Sequence, residues 1–131
     1  MTPSPTTRAR RPRRSVRVVV NLVYAAVLVV LATVPGFPAG VPSVSDTWAH
    51  ASAYGLQAVL IYWALVATTS RMWAATGAFF GATAFGIATE ALQLLQPARS
   101  VDPRDVAANM VGAALACVVA IAVDRTIAAW R

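Results

Sequence analysis

Three short groups of side chains in this sequence are of types that do chemistry. Asp46, His50 and Tyr54 stand four residues apart, Glu90 and Gln93 form a Glu-x-x-Gln pair, and Arg99, Asp102, Arg104, Asp105 and Asn109 follow soon after. Residues 90–109 alone hold three of the five acidic residues of the chain. A histidine oriented by an aspartate, as His50 by Asp46, is a candidate general base. A glutamate in apolar surroundings, as Glu90, is a candidate general acid. Arg99 and Arg104 suit phosphate oxygens, and Gln93 and Asn109 suit hydroxyls or amides. Asp, His and Glu together can also ligate a divalent cation, but a single histidine of unknown geometry assigns no metal set and leaves any cofactor open. Cys117, the only cysteine, lies among Ala and Val. It excludes an intrachain disulfide and a Cys-rich metal site, and reads as an inert buried thiol. No recognised nucleophile motif is present.

These side chains need elements to hold them, and the composition indicates the medium. Hydrophobic residues make up 58% of the 131 and charged residues 12%, against roughly 25% charged in soluble proteins. That balance points to a bilayer. The net charge of +6 is local, because Arg8, Arg10, Arg11, Arg13, Arg14 and Arg17 all precede the first apolar run. Beside a membrane span such a cluster marks the cytoplasmic end and anionic lipid; nucleic acid is not expected. Residues 1–15, rich in Pro, Ser, Thr and Arg, read as a disordered basic cytoplasmic tail. Residues 16–131 read as the transmembrane domain.

The first span is expected over 18–34. It is too long for a signal core and is followed by Pro35-Gly36-Phe37-Pro38, which lacks a small-residue cleavage pattern, so it is read as uncleaved. After a Pro/Gly loop, Ser43-x-x-Asp46 opens a second helix whose apolar run covers 48–68. A tight turn at 69–71 leads into a third over 72–95. This one contains Gly77-x-x-x-Gly81, a spacing that admits a close helix neighbour, and Pro97 ends it. Asp102-Pro103-Arg104-Asp105 is a strong helix start, and the fourth span covers 106–123. The expected fold is therefore all-α: a polytopic, multi-pass protein of the cell membrane with four transmembrane helices.

Orientation follows from arginine. With the N-terminus inside, nine arginines face the cytoplasm (the six above with Arg71, Arg125 and Arg131) and two, Arg99 and Arg104, face out, which puts both termini in the cytoplasm. All three chemical groups then arrive at the outer side. Residues three and four apart share a helix face, which joins Asp46, His50, Tyr54 and Gln57; then Gly86, Glu90 and Gln93; then Asp105, Asn109 and Gly112. A charged stripe facing lipid is expensive, so the three stripes are expected to face one another. Glu90 should lie about 7 Å inside the third span, and the inner half of the bundle should be almost purely apolar. Plainer roles compete. Asp46 and Asp102 stand where aspartates cap helices. The arginines can pair with acids or lipid phosphate, and His50 can simply hydrogen-bond Asp46 or Tyr54. Trp48, Tyr54 and Trp63 read as interface anchors and packing.

In these residues the chain resembles the VanZ-like membrane proteins. The likeness lies in Asp46, His50 and Tyr54 at four-residue spacing, in Glu90 and Gln93, and in Arg99, Asp102, Asp105, Asn109 and Gly112, over about residues 20–123. The family usually has lysine directly after the first aspartate; here that place is Thr47, so a lysine role in anion binding does not carry over. The resemblance implies a link to lowered sensitivity to the glycopeptide teicoplanin and a place in the cell envelope, without a reaction. Three functions are expected in descending order. The first is binding or modulation of a membrane lipid or lipid-linked cell-wall intermediate by its headgroup. The second is catalysis on such a headgroup through Asp46, His50 and Glu90. The third is transport, which an apolar inner half opposes.

Overall fold

Four helices follow the four apolar runs. The structure, a computed structural model, describes residues 14–33, 43–95 and 102–130, and of residues 43–46 the backbone alone. The helices are α1 (Arg14–Thr33), α2 (Ser43–Leu65), α3 (Arg71–Gln93) and α4 (Pro103–Ala129), with no strand among the described residues. The all-α expectation holds. Residues 1–13, the Pro/Gly loop, the Ser43/Asp46 helix-start side chains and Pro97 lie outside the description.

The ends are set by local chemistry. Ser70 caps α3, its hydroxyl accepting from the Trp73 N–H. Asp102 caps α4, its carboxylate accepting from the Arg104 N–H at 2.8 Å, with Pro103 opening the helix where its missing N–H is harmless. α2 stops at Leu65, short of residue 68, because the Leu65 carbonyl takes the N–H groups of Thr68 and Thr69 in a closing turn. Two other boundaries differ in ways that matter. α1 begins at Arg14, so Arg14 and Arg17 belong to the helix rather than to a tail. α4 continues to Ala129, which carries Asp124 on its last turns.

The helices run alternately up and down. α2 and α4 are parallel and make the most extensive pairing; α1 leans on α2 and α3 and does not meet α4 among the described residues. The α2–α4 contact is close because both helices place a glycine in it. A methyl on Gly112 would run into the Ala51 backbone, and one on Gly55 would lie 3.1 Å from the Gly112 carbonyl oxygen. Gly77 and Gly81 also face α2, but what settles on them are the side-chain ends of Leu65 and Ile61. The closest backbone approach is thus at Gly55 and Gly112, not at the Gly-x-x-x-Gly of α3.

The core between the two ends is built of small residues. Ala58, Ala74, Ala78, Ala82 and Ala113 are fully buried, beside Tyr62 and Cys117. Large apolar side chains point outward on every helix, among them Leu22, Leu31, Leu56, Phe80, Leu115 and Val118. This inverts the distribution that water imposes, in which large apolar groups go inside. α1 and α4 are each long and apolar enough to cross a membrane.

Candidate functional site: a buried polar cluster

The three largest fully buried side chains are polar: Glu90 at 2% exposure, Asn109 at 1% and Thr89 at 1%. All three belong to one cluster where α2 begins, α3 ends and α4 begins. Burying such groups is unfavourable unless other polar groups meet them, and here they do.

His50, from the second turn of α2, stands at the centre. Its Nδ1 lies 3.2 Å from Asn109 Oδ1 and 3.5 Å from Glu90 Oε1, while its Nε2 faces Asp105 Oδ2 at 3.8 Å. One imidazole therefore touches two helices and has a carboxylate at each nitrogen. One turn further along α2, the Tyr54 ring stacks with that of His50, 6.1 Å between centroids and 16° from parallel. The Tyr54 hydroxyl is hydrogen-bonded to Thr89 Oγ1. Thr89 in turn donates to the Gly86 carbonyl at 2.8 Å, which leaves its oxygen to accept from Tyr54. Gly86 has a second role. A methyl there would lie 2.8 Å from Asn109 Nδ2, so the absence of a side chain makes the room that Asn109 occupies. Asn109 Nδ2 is itself buried and has no acceptor among the described residues.

Five of the ten expected site residues are seen together. His50, Tyr54, Glu90, Asp105 and Asn109 meet as the spacing predicts, and Gln93 is buried on the face of α3 that carries Glu90. Glu90 is shallower than expected, because α3 ends at Gln93 rather than at residue 95, leaving it about 4.5 Å from the helix end. Its burial comes from α2 and α4 closing over it, not from depth. Asp102 is exposed and caps α4; Arg104 is exposed and its side chain makes no bond among the described residues, so neither is drawn into the cluster. Arg99 and the Asp46 side chain lie outside the description. Tyr54 is a buried, packed member of the cluster, whereas Trp48 is 70% exposed.

Two expectations are corrected. Gln57, placed in the same stripe, turns away and donates to Asn21 Oδ1 of α1 at 2.8 Å. The opposite end of the bundle is not purely apolar either. Arg71 Nε contacts Asp124 Oδ2 at 2.6 Å, Tyr62 donates to Asp124 at 3.4 Å, and Arg17 is buried against Trp63. Sequence reasoning missed Thr89, whose hydroxyl looks like an ordinary helix residue bonding its own backbone. It also missed Asn21 and Tyr24 on α1, the latter donating to the Ala53 carbonyl at 3.1 Å.

The cluster has two chemical capabilities. His50 can exchange a proton with a carboxylate on either side, the arrangement of a general acid–base centre. His50, Glu90 and Asp105 also each offer one ligand atom, and these lie within 4.8 Å of one another. One imidazole and two carboxylates are a donor set for a divalent cation. Comparison with protein-family models, with curated proteins and with solved structures finds no match to this chain.

Proposed function

We propose that this chain is a VanZ-like integral protein of the plasma membrane that binds the polar headgroup of a lipid-linked envelope molecule. In this reading it crosses the membrane four times with both termini in the cytoplasm, and the His50 cluster lies at the outer face. The observation that carries the proposal is the buried polar cluster of Thr89, Glu90 and Asn109 beneath an apolar exterior. Polar groups held inside such a bundle serve a site or hold helices together, and the spare Asn109 Nδ2 donor favours a site. Gln93 and Asn109 then meet hydroxyls or amides of the headgroup, and Arg104, with Arg99 in the preceding loop, meets phosphate. Lowered teicoplanin sensitivity would follow from binding or modulating such an envelope intermediate. The closed alanine layer between the two ends opposes a transport path.

A second reading is favoured by the carboxylates on both sides of His50. In it the same pocket hydrolyses or transfers the headgroup through Asp46, His50 and Glu90, with His50 as base and Glu90 as acid, and Asp105 adds a carboxylate beside His50 Nε2. One experiment separates the two: binding, turnover and metal content of the purified full-length protein in nanodiscs with a lipid-linked cell-wall precursor. Binding without product is expected, weakened about tenfold or more in Glu90→Gln through loss of charge-assisted hydrogen bonds. Product formation abolished by His50→Ala establishes the enzyme. If the wild-type protein neither binds nor turns over the precursor, or if Glu90→Gln simply fails to accumulate, the headgroup reading is wrong and the cluster is structural.

A further inference from the structure

The second polar region lies at the other end of the bundle, where α1 and α3 begin and α2 and α4 end. It is a cleft of about 780 Å³, lined by Arg17, Trp63, Thr69, Ser70, Arg71 and Asp124 among others. That volume suits a small-molecule site, roughly 300–1,000 Å³. Arg17 is the unusual group in it. Its side chain is 8% exposed, yet among the described residues no carboxylate pairs with it. Its Nη1 donates to the Trp63 carbonyl at 2.8 Å, and its guanidinium carbon lies 5.0 Å from the centroid of the Trp63 ring. Its Nε is buried and has no acceptor among the described residues. A carbonyl and an aromatic face offset only part of what a buried cation loses on leaving water. A guanidinium with a buried N–H left without an acceptor is suited to the oxygens of a phosphate.

The rest of the cleft agrees in sign. Among the described residues Asp124 is the one carboxylate in the lining, and Arg71 neutralises it at 2.6 Å. The α3 N-terminus opens here, with Thr69 and Ser70 beside it, and the N-terminal ends of helices favour anions. Ser70 spends its side-chain acceptor on the Trp73 N–H, and the first N–H groups of a helix have no partner within it. Trp63 suits the boundary between lipid and water.

We infer that this cleft is a specific site for a phosphate ester, held by Arg17 and Arg71 at the α3 N-terminus with Trp63 as its wall. It is separate from the His50 cluster and does not depend on what that cluster binds; only its assignment to the inner leaflet rests on the proposed topology. The phosphate ester can belong to an anionic phospholipid or to a soluble molecule.

The test uses the full-length protein with Trp48, Trp73 and Trp130 replaced by Phe, so that Trp63 alone reports, in phosphatidylcholine nanodiscs with and without phosphatidylglycerol. Brominated phosphatidylglycerol should quench Trp63 more strongly than brominated phosphatidylcholine at equal bromine content, which identifies a lipid headgroup. If instead glycerol phosphate added to phosphatidylcholine nanodiscs changes Trp63 emission saturably, the ligand is a soluble phosphate ester and the site still stands. Arg17→Gln should weaken either response about tenfold, in line with loss of charge-assisted hydrogen bonds. Arg17→Lys, which keeps the charge without the guanidinium, should recover only part of it. The wild-type measurement stands even if an Arg17 variant does not fold. Equal quenching by both brominated lipids with no glycerol phosphate response overturns the proposal, as does an unchanged preference in a folded Arg17→Gln protein.

Discussion

The two ends of this bundle are both polar, and they differ in burial. At the His50 end, side chains from α2, α3 and α4 turn inward until Glu90, Asn109 and Thr89 are almost wholly covered. At the Arg71 end the ion pair stays half out, with Arg71 43% and Asp124 37% exposed. Polarity alone therefore says little about where a site lies. What distinguishes the His50 cluster from the Arg71–Asp124 pair is the cost that each must offset: large for buried groups that have left water, small for a pair that water still reaches. Arg17, buried beside that pair, belongs with the former. Gly55 and Gly112 let α2 and α4 approach closely next to the His50 cluster, and beyond the alanine layer the other helix ends line a cleft.

The largest effect expected is all-or-none and concerns which side each end faces. With Cys117→Ala as background, Trp48→Cys should react with a membrane-impermeant thiol reagent on intact cells, and Ser70→Cys only after permeabilisation. The reverse pattern would invert the orientation and with it the assignment of the cluster to the outer face. Next comes one chemical change made at two places. Gly112→Ala pushes a methyl into the Ala51 backbone, which cannot step aside, and should cost about 2 kcal/mol, read as a lower midpoint of unfolding in mild detergent. Gly77→Ala meets only the end of the Leu65 side chain. It should change stability by less than about 1 kcal/mol, because a small repacking is set against the gain from removing a helical glycine. Equal effects at the two positions would mean that α2 and α4 are not closely apposed at the His50 end.

Much of this was readable from residue types and spacing. Acid-capped helix starts located α4, and the three-and-four spacing of His50, Tyr54, Glu90, Asp105 and Asn109 was enough to bring them together, because helical periodicity sets which face a side chain occupies. What could not be read depends on pairing between distant segments. Gln57 fits the His50 stripe by spacing, yet Asn21 lies 36 residues away on α1 and draws it elsewhere. Arg17 reads in the sequence as one more arginine before the first apolar run, and only the packing of α1 on α2 shows it stacked on Trp63. Arg71 and Asp124 are 53 residues apart, and each by itself is an unremarked charge at a helix end. Thr89 was hidden by its neighbour, since nothing in the order Thr-Glu says which of the two the Tyr54 hydroxyl will find.

The smallest effect is the most discriminating for the contrast between the ends. Asp124→Asn removes the carboxylate from a pair that is more than a third exposed on both sides, and such pairs contribute about 0–1 kcal/mol. Stability should therefore fall by less than about 1 kcal/mol, with Tyr62 keeping an amide oxygen to donate to. The same substitution also frees Arg71 and removes the one carboxylate from the Arg17 cleft. If the cleft takes a phosphate ester, the preference of Trp63 for brominated phosphatidylglycerol over brominated phosphatidylcholine should rise in Asp124→Asn while stability barely moves. A loss of stability as large as that from Gly112→Ala would instead show that the Arg71–Asp124 pair ties α3 to α4 as a structural strut. The two ends would then differ in exposure but not in the work their charges do.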